Sequence, residues 1–117
     1  MSNNILFLDD SDNRLKLFKS HYPHATLVST ASECIEQLQK QSWNIVFLDH
    51  DLSGETFVSE SLENSGSGVV RWIVANKPEI ELIIIHSFNI VAAGHMEMDL
   101  LSAEYTVQRV PFSLSSK

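Results

Sequence analysis

The sequence predicts a three-layer α/β fold with a parallel sheet, and three observations support this class. Short apolar runs recur along the chain and alternate with segments of helical spacing. Several of these runs are continuous, which is typical of strands that are covered on both faces. Helix-start residues follow the runs, and strand–helix alternation of this kind places helices on both faces of a parallel sheet. The five predicted strands are residues 5–8, 25–28, 45–48, 82–85 and 105–110.

Helix boundary signals agree with this alternation. Ser11 or Asp12 is placed to cap the first helix, and Thr30 followed three residues later by Glu33 matches a capping box for the second. Pro78 marks the end of the third helix. A fourth helix is predicted before the last strand, but only Pro111 and "FSLSSK" follow that strand. We therefore expect the final helix to be missing or rudimentary.

The chain length and composition indicate one domain, residues 1–117, with a long flexible loop at about 52–67. Its net charge of -7 argues against a broad nucleic-acid surface or binding to an anionic membrane. Cys34 is the single cysteine, and no apolar stretch is long enough to span a membrane. These features predict a cytoplasmic protein.

Polar residues follow three of the predicted strands. Because the carboxyl ends of parallel strands meet at one edge of the sheet, these residues are expected to lie close together. For any one cluster a helix cap or a turn is an adequate explanation, but the coincidence of three favours a functional site. The clusters are Asp9 and Asp10 after the first strand, Asp49, His50 and Asp51 after the third, and His86, Ser87 and Asn89 after the fourth.

The chemistry of these residues favours a metal ion and a phosphate ligand. Asp9, Asp10 and Asp49 would repel one another without a divalent cation, and Mg²⁺ prefers oxygen ligands. His50 and His86 have side chains that gain and lose protons near pH 7, so they are candidates for a general base and a general acid beside a phosphodiester. The sequence thus predicts a catalytic edge, provided that the loop turns early enough to bring His50 into it.

The order of these motifs resembles the receiver domain of two-component signalling. "ILFLDD", "IVFLD", "IIIHS" and "VQRVP" are similar to receiver strands one, three, four and five, over residues 4–111. The resemblance implies the sheet order 2-1-3-4-5 of a flavodoxin-like fold, Asp9 and Asp10 as metal ligands, Asp49 in the phosphoacceptor position and Ser87 at the hydroxyl position. Receivers also carry a lysine where this chain has Val110.

A closer resemblance is to the cyclic-phosphate-processing receiver-like domains, carried by "LDHDLSGE", "SGVVRWIVANKP", "IIIHSFNIVAAGHM" and "RVPF". It implies binding and hydrolysis or other processing of a cyclic phosphate. The cofactor that the acidic residues predict is Mg²⁺ or another divalent cation. The expected ligand is a cyclic nucleotide, a related small molecule or an RNA end. In the leading hypothesis His50, His86 and Asp49 are catalytic, Ser87 and Asn89 bind phosphate, and Asp9, Asp10 and Asp49 hold the metal.

Three other functions remain open at the level of sequence. The first is a non-enzymatic phosphoacceptor or ligand-binding signalling module with Asp49 as acceptor. The second is a haloacid-dehalogenase-like phosphatase that uses Asp49 and Asp51, although such proteins carry the motif on their first strand. The third is a metal-free protein that binds a cyclic nucleotide. A homodimer is a further expectation, because a missing last helix would leave part of the sheet uncovered.

Overall fold

The computed structural model describes residues 4–49, 65–86 and 90–110, and the structural statements that follow concern these residues. They form five strands and four helices in strict alternation. In chain order the elements are β1 (Ile5–Leu8), α1 (Asp12–His21), β2 (Thr26–Val28), α2 (Ala31–Lys40), β3 (Trp43–Leu48), α3 (Gly66–Asn76), β4 (Ile80–Ile85), α4 (Ile90–Ser102) and β5 (Val107–Arg109).

The strands form one parallel sheet in the order β2-β1-β3-β4-β5, which confirms the predicted fold class. The two strands at the centre start earlier than the apolar runs indicated, at Trp43 and Ile80. These residues face each other in the register of β3 and β4, and the Trp43 N–H also bonds to the Glu79 carbonyl oxygen at 3.0 Å. Pairing between neighbours therefore extends both strands beyond the continuous apolar stretch.

The two faces of the sheet carry separate apolar clusters. On one face, Leu6 and Leu8 of β1 pack with buried residues of α2, α3 and α4. On the other face, Phe7 packs with Phe18 of α1 and with Ala25. Successive residues of a strand point to opposite faces, so odd-numbered residues of β1 face α1 and even-numbered ones face the other three helices. Among the four described helices, α1 therefore covers the face opposite to α2, α3 and α4.

Side-chain caps hold the helix starts where the sequence indicated. The hydroxyl of Ser11 accepts the Arg14 N–H at 3.3 Å, and that of Thr30 accepts the Glu33 N–H at 3.1 Å. The Glu33 carboxylate accepts the Ser29 N–H at 3.1 Å, so this end of α2 is closed from both sides. Helix α3 ends before Lys77, which adopts a left-handed conformation with φ of 52°.

Two further predictions concern the chain outside the sheet. Helix α3 begins at Gly66, so the end of the predicted loop 52–67 belongs to that helix, while 52–64 lies outside the described residues. The predicted absence of a final helix concerns 111–117, which also lies outside them.

Cys34 is buried in α2, and burial raises the pKa of its thiol to about 12. Within the described ranges, none of the helices has the length and apolar character that crossing a bilayer requires.

Candidate functional site

Three polar residues lie directly after the carboxyl ends of neighbouring strands. They are Asp9 after β1, Asp49 after β3 and His86 after β4. Backbone hydrogen bonds continue the sheet past the strands, because the Asp9 N–H bonds to the Val28 carbonyl oxygen at 3.2 Å and the His86 N–H to the Leu48 carbonyl oxygen at 3.0 Å. The three side chains are buried, with 0%, 4% and 3% of their residue surface exposed. Their potential ligand atoms lie within 4.8 Å of one another.

The register explains why these three residues meet on the α1 side of the sheet. In β1 the residue that faces α1 is Phe7, so Asp9 continues that face two residues later. In β3 it is Phe47, and Asp49 follows in the same way. Asp10 is not part of this group of potential ligand atoms, but it lies close enough to Arg14 for its charge to raise the pKa of that side chain. The two members of the acidic pair therefore differ in burial, since Asp9 is fully buried and Asp10 is half-buried.

The Asp9 carboxylate accepts four hydrogen bonds from the described residues. Its Oδ2 accepts hydrogen bonds from Arg14 Nε at 2.7 Å and from His86 Nε2 at 3.0 Å. Its Oδ1 accepts from Arg14 Nη2 at 2.9 Å and from the Ser11 N–H at 2.9 Å. Burial raises the pKa of Asp9 more than any other single effect, but these hydrogen bonds together outweigh it and the pKa is lowered. Asp9 is thus held as a carboxylate in the interior.

Arg14 is a site residue that the sequence reasoning missed. It lies in the first turn of α1, where side chains lean back toward the helix start and hence toward the end of β1. Besides its two bonds to Asp9, its Nη2 lies 3.8 Å from Asp49 Oδ2. The bonds to Asp9 raise the pKa of Arg14, so the guanidinium stays charged. The sequence feature that could have indicated it is an arginine in the first turn of the helix that follows Asp9 and Asp10.

His86 is held between the carboxylate and the aromatic core. Its ring stacks on Phe7, with centroids 4.8 Å apart and planes 8° from parallel, and Phe7 stacks in turn on Phe18 at 4.0 Å. Burial lowers the pKa of His86 and outweighs the opposing effect of the bond to Asp9. The ring is therefore neutral near pH 7. Because a carboxylate only accepts hydrogen bonds, Nε2 carries the proton that is donated to Asp9.

The lowered pKa of His86 predicts how stability changes with pH. Below about pH 6.5 the ring takes up a proton in the unfolded chain but not in the folded one, so the free energy of unfolding falls as the pH falls. We expect the loss to reach at most about 1.4 kcal/mol per pH unit for this one proton. Urea unfolding in EDTA between pH 7.5 and 5 measures it for wild type and for His86→Gln.

The glutamine variant provides the comparison, because all other titrating groups are shared with wild type. Its free energy of unfolding should depend less steeply on pH below 6.5 than that of wild type. Equal slopes in the two proteins would contradict the burial of a neutral imidazole at this position.

The donor set fits a divalent cation. Asp9 and Asp49 supply carboxylate oxygens, the ligand atoms that Mg²⁺ prefers, and these lie within 4.8 Å of each other and of a ring nitrogen of His86. The Nε2 atom of His86 could bind a metal only after it lost the proton that it donates to Asp9. Of the predicted ligands, Asp9 and Asp49 are therefore brought together and Asp10 lies outside the group. The predicted site residues His50, Ser87 and Asn89 lie outside the described residues.

Arg109, the basic residue nearest to the receiver lysine position, pairs with Glu97 of α4 at 2.9 Å. Val110 at the lysine position is exposed. Within the described part of the chain, the charge that contacts both Asp9 and Asp49 comes from α1, at Arg14.

Comparisons with known proteins agree with this architecture. The family described as "Cyclic-phosphate processing Receiver domain" matches residues 4–102. A search of curated protein sequences found no significant match. Solved receiver structures share the fold. A signal receiver domain from Vibrio parahaemolyticus is 18% identical to this chain, with a TM-score of 0.68, and the alignment covers 97% of this chain and 82% of that domain.

Two further structures give the same result. A CheY-like receiver domain from Methylobacillus flagellatus is 15% identical, with 98% and 90% of the two chains covered and a TM-score of 0.67. A response regulator from Colwellia psychrerythraea is 19% identical, with 97% and 88% covered and a TM-score of 0.63. At these identities the likeness supports the fold, and the chemistry has to be argued from the site.

Proposed function

Because this chain belongs to the cyclic-phosphate processing receiver domains, we propose that it binds a cyclic phosphate and hydrolyses it to a phosphomonoester. The observation that carries this proposal is the meeting of Asp9, Asp49 and His86 at one edge of the sheet, buried and within 4.8 Å. A receiver that only accepts a phosphoryl group needs no imidazole in this cluster. A phosphodiester hydrolase does need a group that exchanges protons.

The proposed reaction uses two histidines for proton transfer and two polar residues for phosphate binding. His50 and His86 serve as the proton-exchanging pair. One imidazole takes a proton from the attacking water as its oxygen bonds to phosphorus. The other gives a proton to the ring oxygen as its bond to phosphorus breaks, so that a hydroxyl group and a phosphomonoester result. Ser87 and Asn89 bind the phosphate oxygens.

The metal part of the proposal concerns Asp9, Asp10 and Asp49. We infer that Asp9 and Asp49 hold Mg²⁺ and that Asp10 contributes from the rim of the site. When bound there, the ion would neutralise charge on the phosphate oxygens. Asp49 is the central ligand of this arrangement, because it follows the middle strand of the sheet and lies beside both Arg14 and the Asp9–His86 pair.

A panel of substrates tests the proposed activity. It contains an RNA oligomer with a 2′,3′-cyclic phosphate end, 3′,5′-cyclic mononucleotides and a cyclic nucleotide sugar, each with Mg²⁺ or EDTA and followed by ³¹P NMR. We expect turnover of at least one substrate with Mg²⁺. Asp49→Asn should reduce that turnover by about 100-fold or more, since it removes a charged metal ligand.

Asp99→Asn is the matched control, because it changes the same functional group on the exposed side of α4. It should leave turnover within about threefold of wild type. If the wild-type protein turned over no member of the panel under either condition, the hydrolase proposal would be rejected.

A second candidate function is that of a phosphoacceptor module with Asp49 as acceptor. It is favoured by the position of Asp49 after β3 in a receiver fold, beside the guanidinium of Arg14. Incubation with acetyl phosphate and Mg²⁺, followed by intact-protein mass spectrometry, distinguishes the two. A stable phosphorylated form that is absent from Asp49→Asn would support this candidate, and its absence together with turnover of the panel would support the hydrolase.

A further inference from the structure

Asp9 has no acceptor capacity to spare in this structure. A carboxylate offers about four lone-pair positions on its two oxygens. Arg14 takes two of them, His86 one, and the backbone N–H of Ser11 one. A metal ion that binds Asp9 must therefore displace one of these three donors.

The three donors differ in how easily they can leave. The Ser11 N–H belongs to the backbone at the cap of α1 and is fixed by the helix start. The His86 ring is 3% exposed and stacked on Phe7, so its movement would disturb the core. The Arg14 side chain is 28% exposed and long, so it can turn toward solvent without a change in the backbone. Arg14 is thus the donor that an incoming ion would displace.

The charges at the site also indicate that Arg14 is the donor that a metal ion would displace. The guanidinium contacts Asp9 in two places and approaches Asp49 to 3.8 Å, so it already supplies a positive charge to both carboxylates. A divalent cation between these carboxylates would lie close to the guanidinium and repel it. The two cations therefore disfavour each other at the same pair of acids.

We propose that Arg14 is an internal cation that competes with a divalent metal ion for Asp9, so that metal binding requires Arg14 to leave this carboxylate. The inference rests on the proposed function only in placing the metal at Asp9 and Asp49. It concerns metal affinity and makes no use of the substrate. In the absence of metal, Arg14 keeps the two acids together. When a metal ion binds, its binding free energy is less favourable by the free energy needed to break the Arg14 contacts.

Metal titration tests the competition directly. Protein freed of metal by EDTA and dialysis is titrated with Mg²⁺ and with Mn²⁺ by isothermal calorimetry, for wild type, Arg14→Gln, Arg14→Lys and Arg71→Gln. We expect Arg14→Gln to bind either ion about tenfold more tightly or better, because the charge and the paired hydrogen bonds to Asp9 are lost. Arg14→Lys keeps the charge without the paired geometry and should fall between the two.

Arg71→Gln is the matched control. It changes the net charge by the same amount, but at a groove between α3 and α4 that Val74 and Asp99 also line. Its metal affinity should equal that of wild type. An affinity of Arg14→Gln that is equal to or weaker than wild type, in a protein whose circular dichroism is native, would overturn the proposal. Undetectable metal binding in all four proteins would overturn it as well.

A second measurement uses wild type alone and does not depend on the folding of a variant. The Arg14 Nε–H resonance in a ¹H–¹⁵N spectrum reports its bond to Asp9. Saturating Mg²⁺ should shift this resonance or broaden it through solvent exchange, and an unchanged resonance would contradict the displacement of Arg14. Because none of these measurements includes a cyclic phosphate, they can fail while the substrate panel succeeds, and the reverse also holds.

Discussion

Replacement of Phe7 by alanine is expected to lower the free energy of unfolding by about 3–5 kcal/mol. Phe7 is fully buried in β1, and its ring stacks on Phe18 and on His86 with centroids 4.0 Å and 4.8 Å away. Alanine leaves a cavity between these rings, and a close-packed interior relaxes into such a cavity only in part. Urea unfolding in EDTA, followed by circular dichroism, gives the difference.

Two control variants are compared with Phe7→Ala. Phe7→Leu keeps most of the apolar volume and should cost less than the alanine variant. Val74→Ala, on a residue of α3 that is 39% exposed, should stay within about 0.5 kcal/mol of wild type. A loss below about 1 kcal/mol for Phe7→Ala would mean that the neighbouring rings close over the cavity, contrary to the fixed stack described above.

His86→Gln is expected to reduce turnover of the substrate by about 10²–10⁴-fold, the usual contribution of a proton-exchanging side chain. A glutamine amide can still donate a hydrogen bond to Asp9, but it cannot take up and release protons near neutral pH. Because the His86 ring is buried and its Nε2 contacts Asp9, this variant separates proton transfer from the positioning of the carboxylate. Steady-state kinetics at pH 7.5 on the substrate that the panel identifies measures the effect.

His95→Gln is the control, since His95 is an exposed histidine of α4. Its turnover should lie within about threefold of wild type. If His86→Gln also kept turnover within threefold, His86 would act by positioning Asp9, and proton transfer would have to be assigned to His50 or to water.

The fold could be predicted because its signals are local and repeated. Continuous apolar runs indicated a parallel sheet, and the Thr30–Glu33 pair marked a helix start that the structure confirms. Of the two predicted caps for the first helix, Ser11 and Asp12, the structure shows that Ser11 is the cap. The meeting of Asp9, Asp49 and His86 followed from a general property of parallel sheets. It needed only the order of the strands, which the resemblance to receivers supplied.

The parts that could not be predicted depend on tertiary contacts. Asp9 and Asp10 are neighbouring aspartates that the sequence does not distinguish. Only the structure shows that Asp9 is buried while Asp10 is half-buried. Arg14 lies within a helix, so neither periodicity nor strand position pointed to it. Its contact with Asp9 depends on the placement of the first turn of α1 beside the end of β1, which is a tertiary feature. The burial of His86 on Phe7 also required the packed structure.

Helix α1 supplies two different contacts to the site from a single face. Arg14 and Phe18 are four residues apart and so lie one turn from each other on that face. The first contacts Asp9, and the second supports Phe7, on which His86 rests. A small tilt of α1 would therefore move the cation and the ring support together. A molecule that bound only the outer surface of α1 could therefore change the geometry of Asp9 and His86 without contacting either residue.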